Sequence, residues 1–271
     1  MTHHGLIFLH IPKTAGTTVD VVLRRQYAPG EVIRFSSFKN GVRAFEEIPK
    51  HVRASARLVK GHVHFGVHRY LEGHWDYATI LREPIARVVS VYRYIRAERL
   101  HPFHETVMRR DMGLEEFVES GIGWRGTNNG QTRQVAGIEG RAVVDDRALD
   151  LAIENLRKYF VVVGIQEKLD ESLLLLKRKC SWHMSLYVSR NVSGGTVPRL
   201  SAREQRLIET NNELDIALYD YAAKRLAAEL DEQRFFSAEL ATTRLLNRTI
   251  SVWARTRQLP KPLRETGRAR H

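Results

Sequence analysis

Apolar residues follow two rhythms along this 271-residue chain: short unbroken runs, and stripes that repeat every three or four positions. The runs Leu6-Ile7-Phe8-Leu9-His10-Ile11, Val32-Ile33-Arg34-Phe35, Arg57-Leu58-Val59-Lys60, Tyr77-Ala78-Thr79-Ile80-Leu81 and Phe160-Val161-Val162-Val163-Gly164-Ile165 have the length and β-branched content of buried strands. Helical spacing follows the first run, with Val19, Val22 and Leu23 on one stripe between Thr17 and Arg25. Pro84 stands at a first helical position, so a helix is expected from there to about Arg99. Further helices are expected over His104 to Met112, Leu114 to Glu119, Asn129 to Ala136, Asp145 to Tyr159 and Glu167 to Lys179. A last one should run from Ser201 to about Leu230, opened by Ser201 and Glu204 as a capping box. Strands alternating with helices predict an α/β fold whose central, mostly parallel sheet is flanked by helices in three layers. Ligands in such sheets bind beyond the carboxyl ends of the strands, so the residues that follow each run carry the most information.

After the first run comes His10-Ile11-Pro12-Lys13-Thr14-Ala15-Gly16-Thr17-Thr18. A helix starting there presents unpaired backbone N–H groups and the positive end of its dipole, which suits a phosphate or sulfate. Gly16 permits close approach, Thr14, Thr17 and Thr18 offer hydroxyls, and Lys13 adds a point charge. The loop is P-loop-like in position but not in pattern, because Lys13 precedes the glycine. The strands that magnesium-dependent phosphoryl transfer would equip with a carboxylate end in Arg82 and Gln166, which disfavours a nucleotide kinase. Arg82, where a strand stops, and Ser90, two turns into the next helix, can clamp a second phosphate, whereas Arg87 suits an ion pair inside the fold. His62 and His64 would share one face of a strand. They leave open a catalytic base, a metal site completed by a residue such as His68, or structural histidines.

The Lys13 loop followed by Arg82-x-Pro84-x-x-Arg87-x-x-Ser90-x-Tyr92 resembles the sulfotransferase family that includes heparan-sulfate 2-O-sulfotransferase and its bacterial relatives, sulfotransferase family 2. The resemblance extends from about residue 5 to residue 230. It implies a donor, 3′-phosphoadenosine 5′-phosphosulfate (PAPS), whose 5′-phosphosulfate lies on residues Lys13, Thr14, Ala15, Gly16, Thr17 and Thr18 and whose 3′-phosphate lies on Arg82 and Ser90. It also implies that Gly61-His62-Val63-His64-Phe65-Gly66 supplies the base for the acceptor hydroxyl, through His62 with His64 as assistant. Lys60 stands where the heparan-sulfate enzyme has a histidine, and is a candidate acceptor contact. Asn129, Thr132 and Arg133 belong to a polar helix start similar to one in bacterial members, facing the acceptor or nucleotide. Thr196 and Arg199 fall where relatives close over the nucleotide. The expected chemistry is in-line sulfuryl transfer to a hydroxylated, possibly polyanionic, carbohydrate, with no metal required and no nucleic acid as partner.

Charge adds one qualification. The chain carries a formal +12, and from Arg244 to His271 eight Lys/Arg stand against one acid, Glu265, so most of the excess is C-terminal. A catalytic domain over residues 1–243 and a basic tail over 244–271, partly helical or disordered, are therefore expected. A polyanion-binding module led by that tail is the non-enzymatic rival. With a single cysteine, Cys180, and no apolar run near the roughly 20 residues of a membrane helix, a cytoplasmic enzyme is expected, and since the animal members of the family it resembles carry a membrane anchor, the resemblance implies a bacterial one.

Overall fold

The computed structural model describes residues 4–183, 186–187 and 199–256. In chain order its elements are β1 (His4–Leu9), α1 (Gly16–Leu23), β2 (Val32–Arg34), α2 (Ser37–Asn40), α3 (Lys50–Ser55), β3 (Leu58–Gly61) and β4 (His74–Leu81). Then come α4 (Pro84–Ala97), α5 (His104–Arg109), α6 (Leu114–Glu119), α7 (Trp124–Thr127), α8 (Gly130–Ala136), α9 (Asp146–Tyr159) and β5 (Phe160–Ile165). The chain continues through α10 (Leu169–Lys179), α11 (Ala202–Asn211), α12 (Glu213–Asp231) and α13 (Phe236–Thr256).

The five expected runs are the five strands, in the order β2-β3-β1-β4-β5, and every pairing is parallel. Consecutive residues of β1 and β4 are buried, so both faces of the sheet are covered by helices and the apolar runs need no alternation. The main core joins the strands to α1, α9, α10 and α12, and a satellite core gathers Val88, Ile95, Val107, Met112, Phe117 and Ile208 from α4, α5, α6 and α11. From β1 the chain runs outward to β2 and β3 on one side, then crosses to β4 and β5 on the other. The sheet's switch point, and the crevice it opens, therefore lies beyond the carboxyl end of β1.

Two local signals appear as expected. Pro84 opens α4, with the Glu83 side chain accepting from the N–H groups of Ile85 (2.9 Å) and Ala86 (2.6 Å). Ser201 and Glu204 form their reciprocal cap at 3.1 and 2.8 Å. The last expected helix is divided. At Asn212 the chain leaves helical geometry, and the fully buried Asn212 amide donates to Thr127 O and Ile208 O. From α8's first residue side, Asn129 Oδ1 accepts from the N–H groups of Leu214 and Asp215, so a distant residue caps α12. On the C-terminal side α13 runs unbroken across residue 243, and the stripe Phe236, Leu240, Thr243, Asn247 and Ser251 is buried along it. No helix among the described residues is long and apolar enough to cross a membrane.

Candidate functional site

The loop between β1 and α1 is curled by two non-glycine residues in left-handed conformation, Lys13 at φ 71° and Ala15 at φ 60°. Such conformations are costly for L residues and gather successive amide N–H groups into an anion-sized concavity. Ala15 caps α1 without a side-chain hydrogen bond, so no N-cap side chain occupies the first amides of the helix. Gly16 is required by packing: a Cβ there would lie 1.9 Å from His10 Nε2. The Thr14 hydroxyl turns back and donates to Ile11 O at 2.8 Å, bracing the loop from within. Thr17 is exposed and Thr18 half-buried at the start of α1. Lys13 Nζ lies over the Tyr94 ring, 4.0 Å from its centroid, and burial together with nearby Arg82 lowers its pKa from the ordinary lysine value.

Arg82 stops β4 beside this loop. Gln131 of α8 grips its backbone on both sides, accepting from Arg82 N (3.0 Å) and donating to Arg82 O (2.9 Å), and Arg82 Nη1 donates to Lys13 O at 3.1 Å. Arg82 Nε is buried with no hydrogen-bond partner among the described residues, an unmet donor at the edge of the anion loop. Ser90 sits half-buried two turns into α4. Arg87 makes the internal ion pair its position suggested: Nη2 lies 3.3 Å from Asp215 Oδ2 and both side chains are fully buried.

On the other side of β1, a cavity of about 500 Å³ is lined by His10, Gly16, Thr17, Asp20, Lys60 and His62, among others. His62 Nδ1 lies 3.1 Å from His10 O. A carbonyl only accepts, so Nδ1 carries the proton and Nε2 is left as the basic nitrogen. The ring is held between Phe38, stacked at 5.4 Å and 10°, and His10, at 4.7 Å. Burial lowers the His62 pKa against the smaller opposing effect of the His10 carbonyl. His64 is deeper: Nδ1 meets Ser37 Oγ at 2.7 Å, its N–H donates to the same oxygen, and burial with nearby Arg125 lowers its pKa to about 4. The strand ends at Gly61, so the two histidines do not share a strand face; they flank the Phe38 ring. His68 Nδ1 faces Tyr77 OH at 2.9 Å, so the three histidines turn to three separate partners and do not converge.

Lys60 lines the cavity in an ion pair with Asp20 of α1. Burial, helped by nearby Arg34 and Arg24, lowers the Lys60 pKa against the opposing effect of Asp20. Burial alone would raise the Asp20 pKa, but hydrogen bonds from Lys60 and Arg24 carry it below the ordinary carboxylate value. The helix start at Asn129 turns inward. Thr132 donates to Asp215 Oδ1 at 2.8 Å and Asn129 caps α12. Arg133 donates to Asn128 O, Asn128 Oδ1 and Ala142 O. These side chains build the frame around Arg82 and α12 and do not line the His62 cavity. Arg199 is exposed, and Thr196 lies outside the described residues.

Four residues at the site carried no assignment from sequence: His10, Asp20, Gln131 and Gln134. His10 is half-buried and held neutral, its pKa lowered to about 3 by loss of solvent and then by His62, and its carbonyl also accepts from Gln134 at 2.9 Å. His10 was visible inside the loop motif and Gln131 inside the polar run that opens α8, whereas Gln134 acts from a helix far along the chain and left no local signal.

The parallel sheet and its switch point beyond β1 define an α/β protein with a curled, lysine-bearing loop at that point. The chain belongs to the galactose-3-O-sulfotransferase family, whose profile matches residues 2–251. It is 30% identical over 251 residues to galactose-3-O-sulfotransferase 3 of Mus musculus, an alignment covering 81% of this chain and 55% of the relative. The Homo sapiens protein of the same name is 29% identical over 248 residues, with the same coverage of 81% and 55%. The chain thus spans about half the length of the curated relatives it matches. Among solved structures it is similar to the crystal structure of mouse sulfotransferase SULT7A1 complexed with PAP, at 14% identity and TM-score 0.31, covering 82% of this chain and 90% of that one. The sulfotransferase resemblance carried by the two motifs holds at this level, and its heparan-sulfate 2-O branch gives way to the galactose-3-O family. The relatives are animal proteins, which leaves the expected bacterial source without support.

Proposed function

We propose that this chain moves a sulfuryl group from PAPS to a carbohydrate hydroxyl, the acceptor position being the 3-hydroxyl of a galactose residue, as in the name of the family. One observation carries the reading. The anion loop, the unmet Arg82 donor tied to that loop, and a histidine with a free Nε2 meet around the end of β1. When bound, the donor supplies sulfur joined to a phosphate through a bridging oxygen, which leaves as part of adenosine 3′,5′-bisphosphate. The loop amides and Lys13 hold the 5′ end and receive the charge that develops on the bridging oxygen, a contribution on the order of 3 kcal/mol for one aimed donor. Arg82 and Ser90 hold the 3′-phosphate. His62 Nε2 takes the acceptor proton as the acceptor oxygen bonds to sulfur and the bond from sulfur to the bridging oxygen breaks.

What supports His62 over His64 as base is access and proton placement: His62 lines the cavity with Nδ1 committed to His10 O, whereas His64 is sealed against Ser37 and Phe38. Lys60 meets acceptor hydroxyls in this reading, which its pairing with Asp20 on the same cavity wall supports. Incubating the chain with radiolabelled PAPS and lactose, alongside a thermal-shift titration with adenosine 3′,5′-bisphosphate, tests the proposal. Label in the disaccharide and a raised melting point are expected; neither label nor shift would overturn it.

A further inference from the structure

Resting on that reading, we infer that the cleft around Trp124 is a second acceptor subsite, which takes an acidic sugar adjoining the galactose that receives the sulfuryl group. This cleft, of about 400 Å³, is separate from the His62 cavity and is lined by Trp124, Asn128, Arg133, Arg141 and Asn211, among others. Three guanidinium groups surround the Trp124 ring, with Arg125, Arg133 and Arg141 lying 4.7, 5.2 and 5.9 Å from its centroid. Among the described residues none of the three makes an ion pair with a carboxylate; Glu119, which also lines the cleft, lies 3.5 Å from Arg203 instead. Arg133 is only 7% exposed and its hydrogen bonds go to neutral oxygens of Asn128 and Ala142, with Asp215 acting on it through space alone. Arg141 is exposed and donates to Gly121 O at 3.3 Å.

A rigid cationic cleft beside an indole has a definite chemical preference. Guanidinium groups match the paired oxygens of a carboxylate or sulfate, and the indole offers a flat apolar surface to a sugar ring. The position of the cleft relates it to the catalytic cavity. Arg125 also lies 5.4 Å from the Phe38 ring and donates to Phe38 O at 3.3 Å, and Phe38 stacks on His62. One layer, Arg125 on Phe38, thus separates the base from the Trp124 cleft. In this proposal an acceptor with galactose at His62 extends past that layer, so that its uronic or sulfated residue lies in the Trp124 cleft.

The test compares galactose linked to glucuronate with galactose linked to glucose as acceptors for the full chain, its Arg141→Ala variant and its Trp124→Phe variant. The wild type is expected to prefer the acidic disaccharide. Arg141→Ala should remove about tenfold of that preference through KM, the scale of one charged hydrogen bond, with kcat and the affinity for adenosine 3′,5′-bisphosphate unchanged. Titration with the acidic disaccharide should also quench a tryptophan signal that Trp124→Phe lacks. Equal kcat/KM for both disaccharides, unchanged by Arg141→Ala, would sink the subsite and leave galactoside sulfation standing. Tryptophan quenching by the acidic disaccharide without sulfation of either would keep the subsite and overturn the proposed activity.

Discussion

At the scale of single residues, the site depends on side chains that hold other side chains. The base role proposed for His62 requires that His10 O keep its Nδ1 protonated, and His10 stays in place because Gly16 leaves room for its ring. Replacing Gly16 with alanine drives a Cβ into that ring. A misplacement on the order of 1 Å costs about a hundredfold in turnover, measured as kcat under saturating PAPS. His62→Ala should remove about 10²–10⁴-fold of transfer while calorimetry still records binding of adenosine 3′,5′-bisphosphate. The pH dependence follows from the direction of the His62 shift. Burial disfavours the imidazolium, the active form is the neutral one, and it is present above the folded-state pKa. The acidic limb of the kcat/KM profile should therefore lie below 6.5, the ordinary histidine value, and a limb above 6.5 would contradict the assignment.

At the scale of elements, α8 and α12 act as one unit around Asp215. Its carboxylate accepts from the N–H groups of Gln131 (3.1 Å) and Thr132 (2.8 Å) and from the Thr132 hydroxyl, and it pairs with the buried Arg87 of α4. Gln131, placed by this knot, in turn grips the Arg82 backbone. Asp215→Ala leaves a buried guanidinium uncompensated, and a loss of about 3–5 kcal/mol is expected in urea unfolding. Asp215→Asn keeps some of the hydrogen bonds and should lose less. The periodicity of residues 201 to 230 suggested one helix, because a stripe records which face is buried and not where a distant asparagine caps a break. The polar run from Asn128 to Arg133 drew attention for the same reason: its composition signals hydrogen bonding, and only the fold decides that most of those bonds close internally.

At the scale of the whole molecule, the sheet order brings the Lys13 loop and Arg82 to one crevice and α13 fastens the C-terminal side. Glu239 bridges Lys177 and Arg178 of α10, Arg244 reaches Asp170 and Glu171, and Asn247 accepts from Tyr187 N. Truncation after Thr243 would remove the last two of these ties. A loss on the order of 2 kcal/mol, or roughly 4–8 °C in melting temperature, is expected by calorimetry. The sequence by itself determined the five strands, the anion loop and the Arg82 stop. A run of β-branched residues, a proline at a helix start and a lysine beside a glycine act through local geometry. It also determined the sulfotransferase class, because two motifs in a fixed order leave little freedom. Only the tertiary structure decided which histidine opens to a cavity, that Lys60 pairs with Asp20, that Arg82 keeps an unmet donor, and that Trp124 collects three guanidinium groups. Those are contacts between elements far apart in the chain, and neither spacing nor composition encodes which of two neighbouring side chains faces the ligand.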